Sequence, residues 1–272
     1  RTELVTAMAD LAIEELTRRP EQRSNGLIMA AIVLGGLMSV SVYGNTTYFG
    51  VIGAIRVDRL DLHMLWPGLL VAISCGLAGG LFSRLLIVSL SGQSRDWFTR
   101  KRKQMPVRFG AACGLVIAII GIASQGSTYG SGYLHTRALL DGGDELSGLF
   151  FLLKFAATWI TTWAGVPAGI FAPALAIGGG IGSDIAQLTL GIPSTTLIAL
   201  GMAGFLAAVT QAPMTSFIIV MEMVDGHGLV LSLMASALLA SGVSRLVSVP
   251  LYSALADLQV RRVAPPEPPK LT

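Results

Sequence analysis

Ala164-Gly-Val-Pro-Ala-Gly-Ile-Phe-Ala-Pro173 runs directly into Ala174-Leu-Ala-Ile-Gly-Gly-Gly-Ile-Gly182. Gly165, Pro167 and Gly169 disfavour continuous helix, and an apolar, glycine-rich segment follows them. A helix that starts near Ile170 places Pro173 in its first turn. A missing N–H is harmless there, because the first donors of a helix have no intrahelical acceptor. The N–H groups of Ile170 and Phe171 then face the break, with the positive end of the helix dipole behind them. Such an end attracts an anion without any charged side chain. In a membrane, irregular backbone is tolerated where protein buries it or where it lines a cavity. The stretch reads as an anion site between two apolar segments.

The composition agrees with a lipid surrounding. Hydrophobic residues make up 53% of the 272 residues and charged residues 13%, with a mean hydropathy of +0.68. A soluble domain carries about a quarter charged residues, so that class is excluded. The 32 glycines suit close helix packing in lipid. The formal charge of +3 gains meaning only when it is located. Arg95, Arg100, Lys101, Arg102, Lys103 and Arg108 crowd one loop against a single acid, Asp96. That cluster reads as a cytoplasmic loop obeying the positive-inside rule rather than as a nucleic-acid surface, since no aromatic-interleaved soluble domain accompanies it. Cys75 and Cys113 lie far apart inside apolar stretches without metal-ligand spacing, and read as packing residues. The chain opens on Arg1 with no secretory leader, and we expect it to continue a longer protein.

Apolar segments able to cross or enter a bilayer recur throughout. The strongest are 26–43, 66–90, 107–123 and 146–163; shorter ones cover 170–190, 195–209, 213–224, 229–247 and 250–260. Several are too short for a span of about 20 residues, which is the mark of broken half-helices meeting near the midplane. No period-two alternation supports strands. Arg18, Arg19 and Arg23 place the start of the first full helix inside, 129–147 outside, and Arg261–Arg262 the C-terminus inside. The proline-rich tail 263–272 is expected to be disordered. A faint internal repeat relates Leu11-Ala-Ile-Glu-Glu15, followed by a helix from Gly26, to Phe217-Ile-Ile-Val-Met-Glu222, followed by a helix from Leu229.

Gly169-Ile-Phe-Ala-Pro173 matches a Gly-x-Phe-x-Pro anion-binding motif. It is joined in order by Leu153-Lys-Phe-Ala-Ala-Thr158, Gly201-Met-Ala-Gly204, Ala212-Pro-Met-Thr215 and Pro250-Leu-Tyr-Ser253. On these blocks the chain resembles the chloride channel and transporter (ClC) family over nearly its whole length. The resemblance implies an all-α polytopic membrane protein, an inverted-repeat helical bundle of which this chain holds half to two-thirds. It implies the end of a first repeat at 1–44, a second repeat at 45–249 with its anion loop at 164–173, and a last helix at 250–262. It also implies a homodimer in which each subunit has its own anion pathway, multi-pass in the plasma (inner) membrane.

By that analogy Gly169, Ile170, Phe171 and Pro173 form the anion site, and the Tyr252 hydroxyl donates to the ion from the inner side. Neutral donors select for negative charge yet release the ion. Without the resemblance Tyr252 reads as an interfacial anchor. Glu14 and Glu15 match an acidic helix end of the family, where the second acid carries protons inward; the bland alternative is pairing with Arg18 and Arg19 at helical spacing. Lys154 also matches the family pattern and receives no transport role.

The departures are specific. A Gly-Ser-Gly-x-Pro loop and a Gly-x-x-Gly-Pro loop with a gating glutamate are missing; Gly130-Ser-Gly132 has Tyr133-Leu134 where proline is needed. Pro167 stands where the family usually has Gly or Ser. The expected function is transport of chloride or a similar small anion by proton-coupled exchange. The alternatives are a passive channel, and a non-transporting fragment acting only in dimer assembly. The small residues of the helices at 26–42 and 229–247 would form the dimer surface. Gly142-Gly-Asp-Glu-Leu146 lacks the soluble domain that a cyclic-dinucleotide synthase needs, and His63, His135 and His227 are isolated. Neither an enzyme nor a bound cofactor or metal is expected.

Overall fold

The apolar segments become helices whose ends fall at the glycines and prolines between them. The computed structural model describes residues 25–44, 47–49, 62–91, 97–142, 148–166, 169–189 and 193–263. In chain order the helices are α1 (Asn25–Tyr43), α2 (Leu62–Ser91), α3 (Trp97–Gln104), α4 (Pro106–Ala123), α5 (Tyr133–Leu140) and α6 (Phe150–Ala164). Then come α7 (Phe171–Leu188), α8 (Ser194–Thr210), α9 (Pro213–Met223), a 3-10 turn at His227–Leu229, α10 (Val230–Val247) and α11 (Leu251–Val263). Among the described residues there is no strand, and the chain is an all-α protein with several membrane-type helices. Leu65–Ser91, Pro106–Ala123 and His227–Val247 are long and apolar enough to cross a membrane.

Two elements lie where loops were expected. The basic cluster carries α3, because Arg, Lys and Gln are good helix formers even without an apolar stripe. Within 129–147, the short helix α5 starts from Gly132, whose φ of +89° is left-handed and suits glycine. The tail 264–272 falls outside the described residues.

α8 is the centre of the molecule. Every residue from Thr195 to Thr210 is buried, the pattern of a helix surrounded on all sides by protein. It is wrapped by α7, α10, α2 and α9. Lipid tails give apolar side chains little reason to prefer each other, so close approach and cross-helix hydrogen bonds hold the bundle. Gly178 and Gly182, one turn apart on α7, abut Gly201 and the Leu197 carbonyl of α8. Gly76 and Gly80 of α2 meet Val243, Ser244 and Val247 of α10, while Gly79 faces Ala208 of α8. Polar side chains then bond to neighbouring carbonyls: Ser83 Oγ to Val209 at 3.2 Å, Ser236 Oγ to Leu200 at 3.0 Å, and Cys75 Sγ to Gly201 at 3.5 Å. Both cysteines are buried and free, as their apolar settings predicted.

One end of the bundle is closed by an aromatic cluster. The Phe49 N–H donates to Met223 O at 3.0 Å, and the Tyr133 hydroxyl donates to Tyr48 O at 3.0 Å. Tyr48, Phe49 and Tyr133 pack ring against ring, with centroids 4.8 to 5.4 Å apart. Burial, and secondarily the Tyr133 hydroxyl, push the Tyr48 phenol above its ordinary range.

Candidate functional site

On either side of residues 167–168, which lie outside the described residues, α6 ends at Gly165 and α7 begins after Ile170. Gly165 ends α6 with φ +86°, a left-handed conformation that glycine adopts without strain, and its N–H donates to Thr162 O at 3.1 Å. Gly169 is exposed, with open space where a side chain would be. Ile170 caps α7 and Phe171 is its first helical residue, so Pro173 falls in the first turn as expected. The first bond of this helix runs from the Ala174 N–H to Ile170 O at 3.0 Å. The N–H groups of Ile170, Phe171 and Ala172 therefore have no acceptor within the helix. No acidic side chain occupies that turn. Ile170 and Phe171 are half-buried and pack against the core. Donors, dipole and the absence of competing negative charge all favour an anion here.

Gly169, Ile170, Phe171 and Pro173 are thus contiguous at one helix start. Tyr252 is the second residue of α11 and half-buried. α7 and α11 each pack against α8 and α2. Glu14 and Glu15 lie outside the described residues.

Lys154 does more than the sequence disclosed. It is 2% exposed on α6, and its Nζ donates to Thr128 O at 2.9 Å and Gly130 O at 2.8 Å. Those carbonyls belong to the turn that leads into α5, beside the Gly130-Ser-Gly132 stretch that resembles an anion loop. A Cβ on Gly132 would stand 2.6 Å from Ala176 Cβ and 3.3 Å from Lys154 Cε, so this turn lies directly on α7. Thr136 Oγ1 donates to Gly132 O at 3.0 Å, and Gly179 faces Thr136. Lys154 therefore pins a turn that braces the helix whose start is the candidate anion site. Its partners are main-chain carbonyls, which leave no mark in a sequence.

The comparisons with known proteins agree with this arrangement. The profile of a family described as voltage gated chloride channel matches residues 9–245. H(+)/Cl(-) exchange transporters named ClcA are similar, from Yersinia pestis bv. Antiqua (strain Angola) and Yersinia pseudotuberculosis serotype O:3 (strain YPIII). Each is 30% identical over 262 residues, covering 89% of this chain and 52% of theirs. The chain spans about half the length of the curated relatives it matches. Among solved structures, a CLC-type fluoride/proton antiporter is similar with a TM-score of 0.68 at 19% identity, over 85% of this chain and 54% of that one. A slow cyanobacterial Cl-/H+ antiporter is similar with a TM-score of 0.67 at 24% identity, over 95% of this chain and 61% of that one. Both likenesses concern the fold.

Proposed function

The chain belongs to the voltage gated chloride channel family, and from that premise we propose that it takes part in chloride transport across a membrane by exchange for protons. The observation that carries this reading is the start of α7. There the Ile170 and Phe171 N–H groups stand outside the helical hydrogen-bond ladder, at the start of a helix with no acidic residue in its first turn. In this account those two amides hold the ion, Gly169 leaves it room, and Pro173 fits the first turn, where its missing N–H leaves no helical bond unmade. The Tyr252 hydroxyl closes the inner side, and Glu15, with Glu14 beside it, passes protons towards the cytoplasm. Exchange is favoured over a passive channel by the relatives, which are named as exchangers.

The proposal includes a homodimer in the plasma (inner) membrane with the C-terminus inside. Its interface uses α1 and α10. Along α1, Leu34, Leu37, Met38 and Val42 are each more than 60% exposed, an apolar face that lipid or a second subunit must cover. In the same scheme 1–44 ends a first repeat, 45–249 forms a second, and 250–262 is the last helix.

The test is anion efflux from liposomes holding the full-length gene product, with external pH recorded simultaneously. The expected result is chloride efflux that drives protons inward against their gradient. Glu15→Gln should abolish the proton signal and spare the anion flux. Coupled proton flux that survives Glu15→Gln would remove Glu15 from the mechanism, and efflux with no proton movement in the parent protein would make it a passive channel.

A further inference from the structure

A second feature lies away from the break, between α4 and α6. A cleft of about 500 Å³ opens there, lined by Phe109, Val116, Trp159 and Trp163 along its length and by Lys101 and Arg108 at one end. Its volume falls in the range of about 300–1,000 Å³ typical of small-ligand sites. The aromatic wall is rigid. Trp159 and Trp163 stack with centroids 5.4 Å apart and planes 6° from parallel, and Phe109 meets Trp163 edge-on at 5.0 Å. Trp159 Nε1 donates to Ser89 Oγ at 3.1 Å, which leaves the indole's apolar surface for the cleft.

The polar end has its own chemistry. Among the described residues no carboxylate pairs with Arg108, and its guanidinium reaches only the weak acceptor Met105 Sδ at 3.6 Å. Arg108 sits in the first turn of α4, an eighteen-residue helix with Pro106 at its start and no side-chain cap. The dipole of that helix adds positive potential where Lys101 and Arg108 already stand. Arg102 is committed elsewhere, donating to Ser89 O at 3.1 Å. From Arg108 to Val116 the cleft follows the helix for roughly 12 Å. A cationic mouth opening on an apolar trough has the profile of a phosphate ester carrying a hydrocarbon chain. Basic pockets between membrane helices take such head groups.

We infer that the cleft between α4 and α6 holds one anionic phospholipid, with its phosphate on Lys101 and Arg108 and an acyl chain along the Phe109–Trp159–Trp163 wall. The binding of this lipid is separate from transport and does not depend on the exchange reading.

The test uses tryptophan fluorescence in the full-length protein with every tryptophan other than Trp159 and Trp163 replaced by phenylalanine, Trp66 and Trp97 included, so that Trp159 and Trp163 report alone. The protein is reconstituted in phosphatidylcholine vesicles containing small fractions of brominated phosphatidylglycerol or brominated phosphatidylcholine. Quenching should appear at a lower fraction of the anionic lipid, by about five-fold for each cation engaged. Lys101→Gln with Arg108→Gln should erase that preference and keep quenching by the neutral lipid, which also reports an intact fold. Lys101→Arg should retain it. Soluble glycerol phosphate should not compete. Equal quenching by both lipids would overturn the inference, as would competition by glycerol phosphate alone. Tryptophans shielded from both lipids would also overturn it, since protein would then fill the cleft.

Discussion

Lys154 shows how much one buried side chain can organise. An ammonium inside an apolar bundle is expensive unless it is hydrogen-bonded, and the Thr128 and Gly130 carbonyls supply the acceptors. Replacing it with methionine keeps the volume and removes the donor from both carbonyls; Thr128 is buried, whereas Gly130 is exposed and its carbonyl can turn to solvent. One buried unsatisfied acceptor costs about 1–3 kcal/mol, so Lys154→Met should destabilise the protein by roughly 2 kcal/mol. Thermal unfolding of the detergent-solubilised protein reads this as a clearly lowered midpoint; an unchanged midpoint would mean that the turn is held without Lys154. Gly132, with its left-handed φ and its contact on Ala176, belongs to the same device. At the break, the proposed contacts of Ile170 and Phe171 are main-chain N–H groups, and Gly169 and Pro173 shape that main chain. The motif Gly-x-Phe-x-Pro was therefore legible, whereas Lys154 had no visible partner.

At the scale of helices, the packing of α7 on α8 positions the proposed anion site. Gly178 and Gly182 allow two backbones to touch; a Cβ on Gly182 would overlap the Leu197 carbonyl and lie 2.8 Å from Ile198 Cα. Backbone cannot swing aside as a flexible side chain can. Gly182→Ala should therefore force the helices apart, with an overpacking penalty of about 1–3 kcal/mol and a lower yield of folded protein. Gly114→Ala on α4, away from the proposed dimer face, is the matched control. Nothing lies within 4 Å of the added methyl, so stability should be unchanged or slightly raised by better helix propensity. Equal losses at both positions would show that helix propensity, not the contact with α8, governs the effect.

The long and short apolar segments were readable because runs of uncharged residues have no alternative to helix in lipid. Helix starts at Phe171, Ser194 and Pro213 fall within one or two residues of where glycine and proline placed them. α3 and α5 were not readable. Each has eight residues and no sustained apolar face of its own, and α5 draws its stability from resting on α7 and α8.

For the molecule as a whole, the buried helix α8 explains why short segments are stable in a membrane. α7 and α9 pack against it, so protein rather than lipid faces much of their surface. α7 and α11 each pack on α2 and α8, while α4 packs against α6 and the basic helix α3. The internal repeat and the proton acids were legible only as patterns. Glu14 and Glu15 lie outside the described residues, and their role rests on the acidic helix end seen in the sequence.

The central claim is that an anion is held by the first amides of α7. Anomalous diffraction from crystals of the full-length protein grown in bromide tests it most directly. The account predicts a bromide peak within hydrogen-bonding reach of both the Ile170 and Phe171 nitrogens, with the Tyr252 hydroxyl on its inner side. Bromide peaks elsewhere in the protein, with none at the start of α7, would contradict it.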